Sequence, residues 1–421
     1  MIRHLFTVIW NERKNNGWIW AELFLASICL WFIIDYFYVL GNVVHRPLGY
    51  DISHTYRIDM SELSSNSDGY ITPSEKKTTT GEDLLLIMER VRHYSGIEAV
   101  SLSKSAQPYS ATGYSGTMNY QQLYYKDTIS ITAQEYLVTP SFFEVFHNSA
   151  DLKVNRLLSQ ALRPGAVVLS ADAKDELMGI SASCGEQIKI GQDVKSATLT
   201  AICSPVRWSE YFKSNYCFYR LLSEADIAEY INADNFSNYE LCVRVDSEHD
   251  VRFADNFMLD MSDRLRVGNL YLMEVRPSSI LRKAVVAPEE SNIMARSILS
   301  VFILFNIFLG ISGTFMFRTQ YRWAEMGLRI AMGSSKAGLR SFLITEGLIL
   351  LTLAIIPAIL VDLNMGVAEL IDIKWEPFVT FRFIIGLVCT YLVMSFVIII
   401  GIWYPAYQVM HIEPVDALRE E

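Results

Sequence analysis

The chain has 421 residues, 51% of them hydrophobic, and a formal net charge of −10 at pH 7. The acidic balance argues against nucleic acid as a partner, because phosphate binding requires a basic surface. Apolar residues are concentrated in four stretches of about 20 residues, the length that a helix needs to cross a hydrocarbon core. This pattern predicts a membrane protein, and the lipid bilayer is its first expected partner.

The N-terminal residues 1–17 predict an amphipathic helix on the cytoplasmic membrane surface, with a simple lead-in to the first span as the alternative. Apolar residues recur in it at helical spacing, at Ile2, Leu5, Phe6, Ile9 and Trp10. The apolar run 18–40 then predicts transmembrane helix 1. We expect a retained anchor, because the run is longer than the core of a signal peptide and contains Glu22 and Asp35. Both carboxylates are expected near the membrane interfaces, where water is accessible.

Residues 41–289 contain no further span and predict a large extracytoplasmic domain of the α+β class. Alternating apolar residues at 166–170 and 239–245 predict strands. Residues 81–92 and 172–178 predict helices, and Gly179 is the expected end of the second. Residues 101–130 have little helical periodicity and predict a flexible or hairpin-like excursion.

Four of the six cysteines lie in this domain, at Cys184, Cys203, Cys217 and Cys242. An oxidising compartment would permit disulfides in any of three pairings, and the sequence selects none of them. The alternative is that all four are free, buried small residues.

Three further apolar stretches predict transmembrane helices 2 to 4, at 290–317, 342–361 and 383–403. Basic residues of short loops stay in the cytoplasm, and they are concentrated in the loop 318–341 between the second and third spans. The loop 362–382 is mostly acidic. We therefore expect both termini, including the tail 404–421, in the cytoplasm and residues 41–289 outside.

The predicted fold class is an α-helical integral membrane protein with four transmembrane helices, arranged as one plus three, and the α+β domain inserted after the first. The sequence has no His-Glu-x-x-His, Cys-x-x-Cys or Gly-x-Ser-x-Gly motif. It also has no Gly-Lys dipeptide, which the common nucleotide-binding loop requires. We therefore expect a non-catalytic subunit without cofactor or metal, with ATP hydrolysis in a partner chain.

The most specific segment is 325–335, Glu-Met-Gly-Leu-Arg-Ile-Ala-Met-Gly-Ser-Ser. It resembles the pattern Glu-Ile/Met-Gly-x-Arg-x-Ala-x-Gly-Ala/Ser-Ser that follows the second span in MacB/FtsX-like ABC transporter permeases. Residues 138–146, Val-Thr-Pro-Ser-Phe-Phe-Glu-Val-Phe, are similar to the periplasmic-core motif of that family, and 167–170 follow at the family spacing.

The C-terminal residues also resemble the family, whose signature there is Pro-Ala-x-x-Ala-x-x-x-x-Pro-x-x-Ala-Leu-Arg. Val409 replaces the usual alanine of this signature. The matching residues of this chain include Pro405, Pro414, Ala417, Leu418 and Arg419.

The resemblance implies the permease subunit of an ABC transport system in a bacterial cytoplasmic (inner) membrane. A separate MacB/LolD-like ATPase subunit would hydrolyse ATP, and the permease would pass the movement to its MacB-like extracytoplasmic core domain by mechanotransmission. It further implies efflux or extraction of a lipoprotein, peptide or antibiotic-like cargo by a homo- or heterodimer of permeases, with a periplasmic adaptor or envelope enzyme as a further partner. The alternative is an FtsX-like signalling anchor that activates an envelope enzyme without transporting cargo.

The loop 318–341 is the expected contact with the ATPase, through two short helices joined near Gly333. Its candidate coupling residues are Glu325, Gly327, Arg329, Gly333, Lys336 and Arg340. Glu325 and Arg329 share a helix face and can pair. Gly327 and Gly333 allow close approach of the ATPase, or Gly333 ends a helix.

The charged and apolar residues of this loop predict two faces. Arg329, Lys336 and Arg340 are expected to face water or a partner. The opposite, apolar face is expected to consist of Leu328, Ile330, Leu339 and Phe342. Glu346, about one turn into the third span, is expected to form a salt bridge with a loop arginine.

Overall fold

The computed structural model describes residues 13–72, 74–110, 119–126, 129–149, 152–191, 195–371 and 378–409. The chain divides into two compact units, which are Met1–Val44 with Glu290–Glu421, and His45–Glu289. We call them the membrane unit and the external unit, after the locations that the sequence predicts for them. Most of the predicted N-terminal helix, residues 1–12, lies outside the described residues.

The described residues form eleven α-helices. In chain order these are α1 (Arg13–Val44), α2 (Thr80–Arg92), α3 (Phe142–Phe146), α4 (Leu152–Ala161), α5 (Ala171–Met178), α6 (Glu224–Tyr230), α7 (Phe253–Met261), α8 (Ser278–Tyr321), α9 (Trp323–Ala331), α10 (Lys336–Val367) and α11 (Thr380–Val409). Four of them, α1, α8, α10 and α11, are long and apolar enough to cross a membrane. The sequence also predicts four such helices, but helical backbone in α8 begins well before the predicted span 290–317.

The described residues also form twelve β-strands. These are β1 (Thr55–Glu62), β2 (Ile97–Lys104), β3 (Tyr120–Tyr125), β4 (Ile129–Val138), β5 (Ala166–Ser170), β6 (Gln187–Ile190), β7 (Lys195–Cys203), β8 (Val206–Arg207), β9 (Ser214–Asn215), β10 (Cys217–Leu221), β11 (Tyr239–Val245) and β12 (Leu270–Pro277). All of them belong to the external unit, as expected for an α+β domain.

Six of these strands close into a barrel. The ring runs β4-β10-β5-β7-β6-β3 and returns to β4, because β10 pairs with both β4 and β5 while β3 pairs with both β4 and β6. Buried apolar side chains from all six strands form one cluster, which therefore fills the ring; its members include Leu123, Ile131, Val167, Ile188, Leu199 and Phe218. Helix α5 adds Ala173 and Leu177 to this core.

The remaining long strands form an antiparallel sheet in the order β2-β11-β1-β12. Helices α2, α6 and α7 contribute Ile87, Ile227 and Phe257 to a second apolar core with this sheet. Strand β4 belongs to both layers, because its last two residues pair with β2 and the rest of it pairs with barrel strands. One continuous strand thus joins the barrel and the sheet.

Several local predictions for this unit are confirmed. Strands β5 and β11 cover 166–170 and 239–245. Helix α2 begins with a capping box between Thr79 and Glu82, and α5 ends before Gly179, which has a φ of +83°. Strands β3 and β4 pair as a hairpin in the second half of the predicted excursion 101–130, whereas residues 101–104 belong to β2 and not to an excursion; residues 111–118 and 127–128 lie outside the described residues.

The cysteines are free thiols. Cys203 on β7 and Cys217 on β10 flank β5 on opposite sides, so their Cα atoms lie about two strand spacings, or roughly 10 Å, apart, which a disulfide cannot span. Burial raises the pKa of the Cys203 thiol well above its ordinary value. The free-thiol alternative is therefore correct, although Cys184 is exposed and not buried.

The core of the membrane unit consists mainly of α10 packed against α1 and α11. Small residues allow this close packing, since Ala354 and Ala358 of α10 are buried one turn apart. A Cβ atom at Gly347 would lie only 2.9 Å from the Ile398 side chain of α11. These contacts fix the third candidate span against the first and the fourth.

One sequence expectation about α1 is wrong. The expected contact of Asp35 with water is absent, because its carboxylate is buried and accepts two hydrogen bonds from Arg382 of α11, at 2.7 and 2.5 Å. The pairing satisfies both charges inside the protein, so water is not needed. Glu22 is half-buried and accepts a hydrogen bond of 2.7 Å from Thr314 of α8.

Candidate functional site

The candidate site is the turn region of the membrane unit where α8, α9 and α10 follow one another. Helix α8 ends at Tyr321, α9 begins at Trp323, and four residues separate α9 from α10. Ser335 caps α10, since its side chain accepts a hydrogen bond of 3.1 Å from the Gly338 amide. The first of the two predicted short helices is α9, but the second is not a separate helix, because residues 336–341 begin the 32-residue helix α10.

Gly333 ends α9. The Gly333 amide donates to the Ile330 carbonyl at 2.9 Å and the Ser334 amide donates to the Arg329 carbonyl at 3.0 Å, which together form a Schellman motif. Gly333 has a φ of +96°, a conformation that glycine adopts without strain. Of the two readings of Gly333, the geometry therefore supports the end of a helix; Gly327 is buried within α9.

Glu346 of α10 is the central charged group of the site. Its carboxylate accepts hydrogen bonds from Arg318 at 2.5 Å and from Arg322 at 2.8 Å. All three side chains are shielded from water, with 2% of the Glu346 side chain exposed, 11% of Arg318 and 6% of Arg322. The predicted pairing of Glu346 with a loop arginine is confirmed, and it joins α10 to the end of α8.

Glu325 of α9 extends the same network. Arg322 donates to it at 2.8 Å, and Arg329 donates to it at 2.7 and 3.1 Å. Desolvation raises the pKa of the Glu325 carboxyl, but the two guanidinium groups outweigh this and hold it below its ordinary value. Arg322 thus bridges Glu346 of α10 and Glu325 of α9, so the helices are linked by consecutive ion pairs.

The two predicted faces of this segment meet at Arg329. Its guanidinium pairs with Glu325 and lies at 4.7 Å over the ring of Phe342, a residue of the predicted apolar face. Of that apolar face, Leu339 and Phe342 are buried, whereas Leu328 is half exposed.

The other predicted site residues lie elsewhere on α9 to α11 or outside the described residues. Arg340 is half-buried on α10. Lys336 is the first residue of α10, and its side chain is outside the part of the chain that the structure describes. Pro405 lies in α11. Pro414, Ala417, Leu418 and Arg419 lie outside the described residues. Only Glu325 and Arg329 of the predicted set are therefore shown in direct contact.

Sequence reasoning missed Arg318 and Arg322 as paired ligands of one carboxylate. A signal was present, because 318, 322, 325 and 329 are spaced by four, three and four residues, which places them on one helical face. Within the described residues, no group of three or more His, Cys, Asp or Glu side chains could hold a metal ion.

No protein-family model and no curated protein matches this chain. Among solved structures, the chain is similar to the extracellular domain of the noncanonic ABC-type transporter YknZ from Gram-positive bacteria, at 12% identity over 52% of this chain and 100% of that chain, with a TM-score of 0.29. It is similar to a domain described as that of a permease protein from Porphyromonas gingivalis, at 12% identity over 54% of this chain and 90% of that chain, with a TM-score of 0.35.

A third similar structure is the periplasmic region of MacB from Actinobacillus actinomycetemcomitans, at 10% identity over 58% of this chain and 97% of that chain, with a TM-score of 0.32. Domains of MacB, of YknZ and of a protein described as a permease are thus among the solved structures to which this chain is similar.

Proposed function

We propose that this chain is the permease subunit of an ABC transport system in a bacterial cytoplasmic membrane, with both termini in the cytoplasm. A separate ATPase subunit binds α9, and the chain acts by mechanotransmission as one of a pair of permeases. Its external unit then moves a lipoprotein, peptide or antibiotic-like cargo outside the bilayer. The observation that carries this proposal is the buried ion-pair network around Glu346.

The network supports mechanical coupling because it joins α9 to two candidate spans at once. A movement of α9 displaces Glu325 and, through Arg322, displaces Glu346 of α10 and its second partner Arg318 of α8. Charge-assisted hydrogen bonds are short and directional, so they resist sliding more than apolar contacts do. Helix α9 therefore moves together with α8 and α10.

The outer face of α9 supports a protein partner. Leu328 is 50% exposed and Met332 is 71% exposed, and the two stand four residues apart on one helical face. Methionine is enriched in the buried centres of protein interfaces. Because this apolar face lies on the segment that resembles the family's coupling motif, we assign it to the ATPase.

The test is purification of the full chain from its native membrane with identification of the bound subunits. Met332→Asp places a charge on the proposed contact and is expected to weaken ATPase binding at least about tenfold. Leu259→Asp is the matched control, because Leu259 is 81% exposed on α7 of the external unit. It is expected to leave ATPase binding unchanged.

Two results would contradict the proposal. One is that no ATPase subunit accompanies the wild-type chain. The other is that the Met332→Asp chain retains as much ATPase as the Leu259→Asp chain does.

A further inference from the structure

One loop of the external unit, residues 205–212, holds the segment that follows α1. The Arg207 side chain is 3% exposed and donates to the Arg46 carbonyl at 2.8 Å. The Arg207 amide donates to the Leu48 carbonyl at 3.0 Å. A Cβ atom at Gly49 would lie 2.2 Å from the Pro205 carbonyl oxygen, so only glycine permits this approach. The loop is therefore in close contact with residues 46–49, through two hydrogen bonds and a close backbone approach at Gly49.

Arg207 also fixes the shape of the loop itself. Its guanidinium donates to the Phe212 carbonyl at 2.7 Å and to the Glu210 carbonyl at 2.5 Å. Burial lowers the pKa of the Arg207 guanidinium, and the nearby Arg46 lowers it further. A guanidinium presents its donors in a rigid planar fork, so one buried side chain sets the loop and the segment 46–49 in a single geometry.

The same loop holds the beginning of α8. Glu210 accepts a hydrogen bond of 2.5 Å from Arg282, in the second turn of α8. Tyr109 is buried and lies close enough to interact electrostatically with both Glu210 and Arg282. The ion pair is therefore shielded on one side by an aromatic side chain. Residues 46–49, which follow α1, and Arg282, near the beginning of α8, thus both contact the same loop of eight residues.

The loop connects directly to the barrel. Barrel strand β7 ends at Cys203, two residues before the loop, and β10 begins at Cys217 after it. The short strands β8 and β9 pair across this connection through Val206 and Asn215. A displacement of the loop consequently acts on two barrel strands that flank β5.

We propose that the 205–212 loop is the point at which movement of α1 and α8 enters the external domain, with Arg207 and Glu210 as positioning residues for that transmission. The inference rests on the proposed function, since it assigns the route by which the ATPase cycle reaches the external unit. It predicts that Glu210 matters for coupling beyond its part in stability.

The experiment uses the full chain with its co-purified ATPase in lipid nanodiscs. Hydrogen exchange of barrel peptides covering residues 166–203 is compared with and without ATP and vanadate. The variants are Glu210→Gln, the charge swap Glu210→Arg with Arg282→Glu, and the control Asp59→Asn. Asp59 pairs with Arg276, and this pair has side-chain exposures of 13% and 35%, against 14% and 35% for Glu210 and Arg282.

The nucleotide-dependent change in exchange is expected in the wild type, in the Asp59→Asn chain and in the charge swap. In the Glu210→Gln chain it is expected to fall below half of the wild-type change, while ATPase binding persists. An undiminished change in Glu210→Gln overturns the loop inference and leaves the proposed function standing. The loop inference is also overturned if the nucleotide-dependent change is lost in both the Asp59→Asn chain and the charge swap, because the effect is then general destabilisation. Absence of a bound ATPase in the wild type refutes both proposals.

Discussion

Substitution of Glu346 is the most direct test of the coupling site. Glu346→Gln removes the negative charge and leaves the guanidinium groups of Arg318 and Arg322 facing each other in a buried position. Breaking a buried ion pair by removing one partner costs about 3–5 kcal/mol. The glutamine oxygen can still accept one hydrogen bond and Arg322 keeps Glu325, so we expect the lower end, about 3 kcal/mol.

The assay is thermal unfolding of the purified full chain, together with retention of the ATPase. A loss of about 3 kcal/mol lowers the apparent midpoint by roughly 6–12 °C for a unit of this size. The control is Glu22→Gln in the same membrane unit, since Glu22 accepts its hydrogen bond from the neutral Thr314 hydroxyl. That change is expected to cost below about 1 kcal/mol.

A double variant tests whether the unpaired charge causes the loss. Replacing Arg318 and Glu346 together with methionine removes an ion pair without leaving either partner alone, and Arg322 retains Glu325. It should therefore be more stable than Glu346→Gln. The reasoning is refuted if Glu346→Gln unfolds within about 2 °C of the wild type, or if the double variant is the less stable of the two.

Two further predictions concern backbone conformation and acid. Gly333→Ala is expected to lower the free energy of unfolding by about 1–2 kcal/mol, because φ is +96° there. This cost is conformational only, since the added Cβ meets no atom within 4 Å. Gly313→Ala, equally unobstructed but inside α8, should be neutral or stabilising, and equal melting of both chains would contradict the argument. Desolvation and then Arg244 lower the pKa of His147, so stability should fall as the pH drops from the ordinary histidine value towards the folded one. His147→Asn should remove the loss of stability over this pH range. If the variant and the wild type show the same pH profile of unfolding, the role assigned to His147 is refuted.

The sequence predicts those features that depend on neighbouring residues. The apolar stretches, the helix predicted at 81–92 and the glycines that follow α5 and α9 are local patterns, and the structure contains all of them. The spacing of the loop arginines likewise indicates one helical face. Local chemistry is sufficient in these cases, because each pattern satisfies backbone hydrogen bonds within a few residues.

The features that were missed require contacts between residues far apart in the chain. Asp35 and Arg382 are separated by 347 positions, so nothing near Asp35 indicates that it is buried and paired. The barrel closes only because β10 pairs with β4 as well as β5. The sequence around Arg207 and Glu210 is that of an ordinary surface turn. Their contacts with residues 46–49 and Arg282 can be identified only from the structure.

The two proposed transmission points predict different patterns of loss, because they act at different residues of α8. Glu346 pairs with Arg318 near the end of α8, whereas Glu210 pairs with Arg282 near its beginning. If the nucleotide signal enters at α9 and travels along α8, Glu346→Gln should remove the exchange response both in peptides covering 278–289 and in the barrel. Glu210→Gln should keep the response in 278–289 and lose it in the barrel. A Glu210→Gln chain that loses the response in 278–289, or a Glu346→Gln chain that keeps it in the barrel, would show that the signal reaches the external unit by another route.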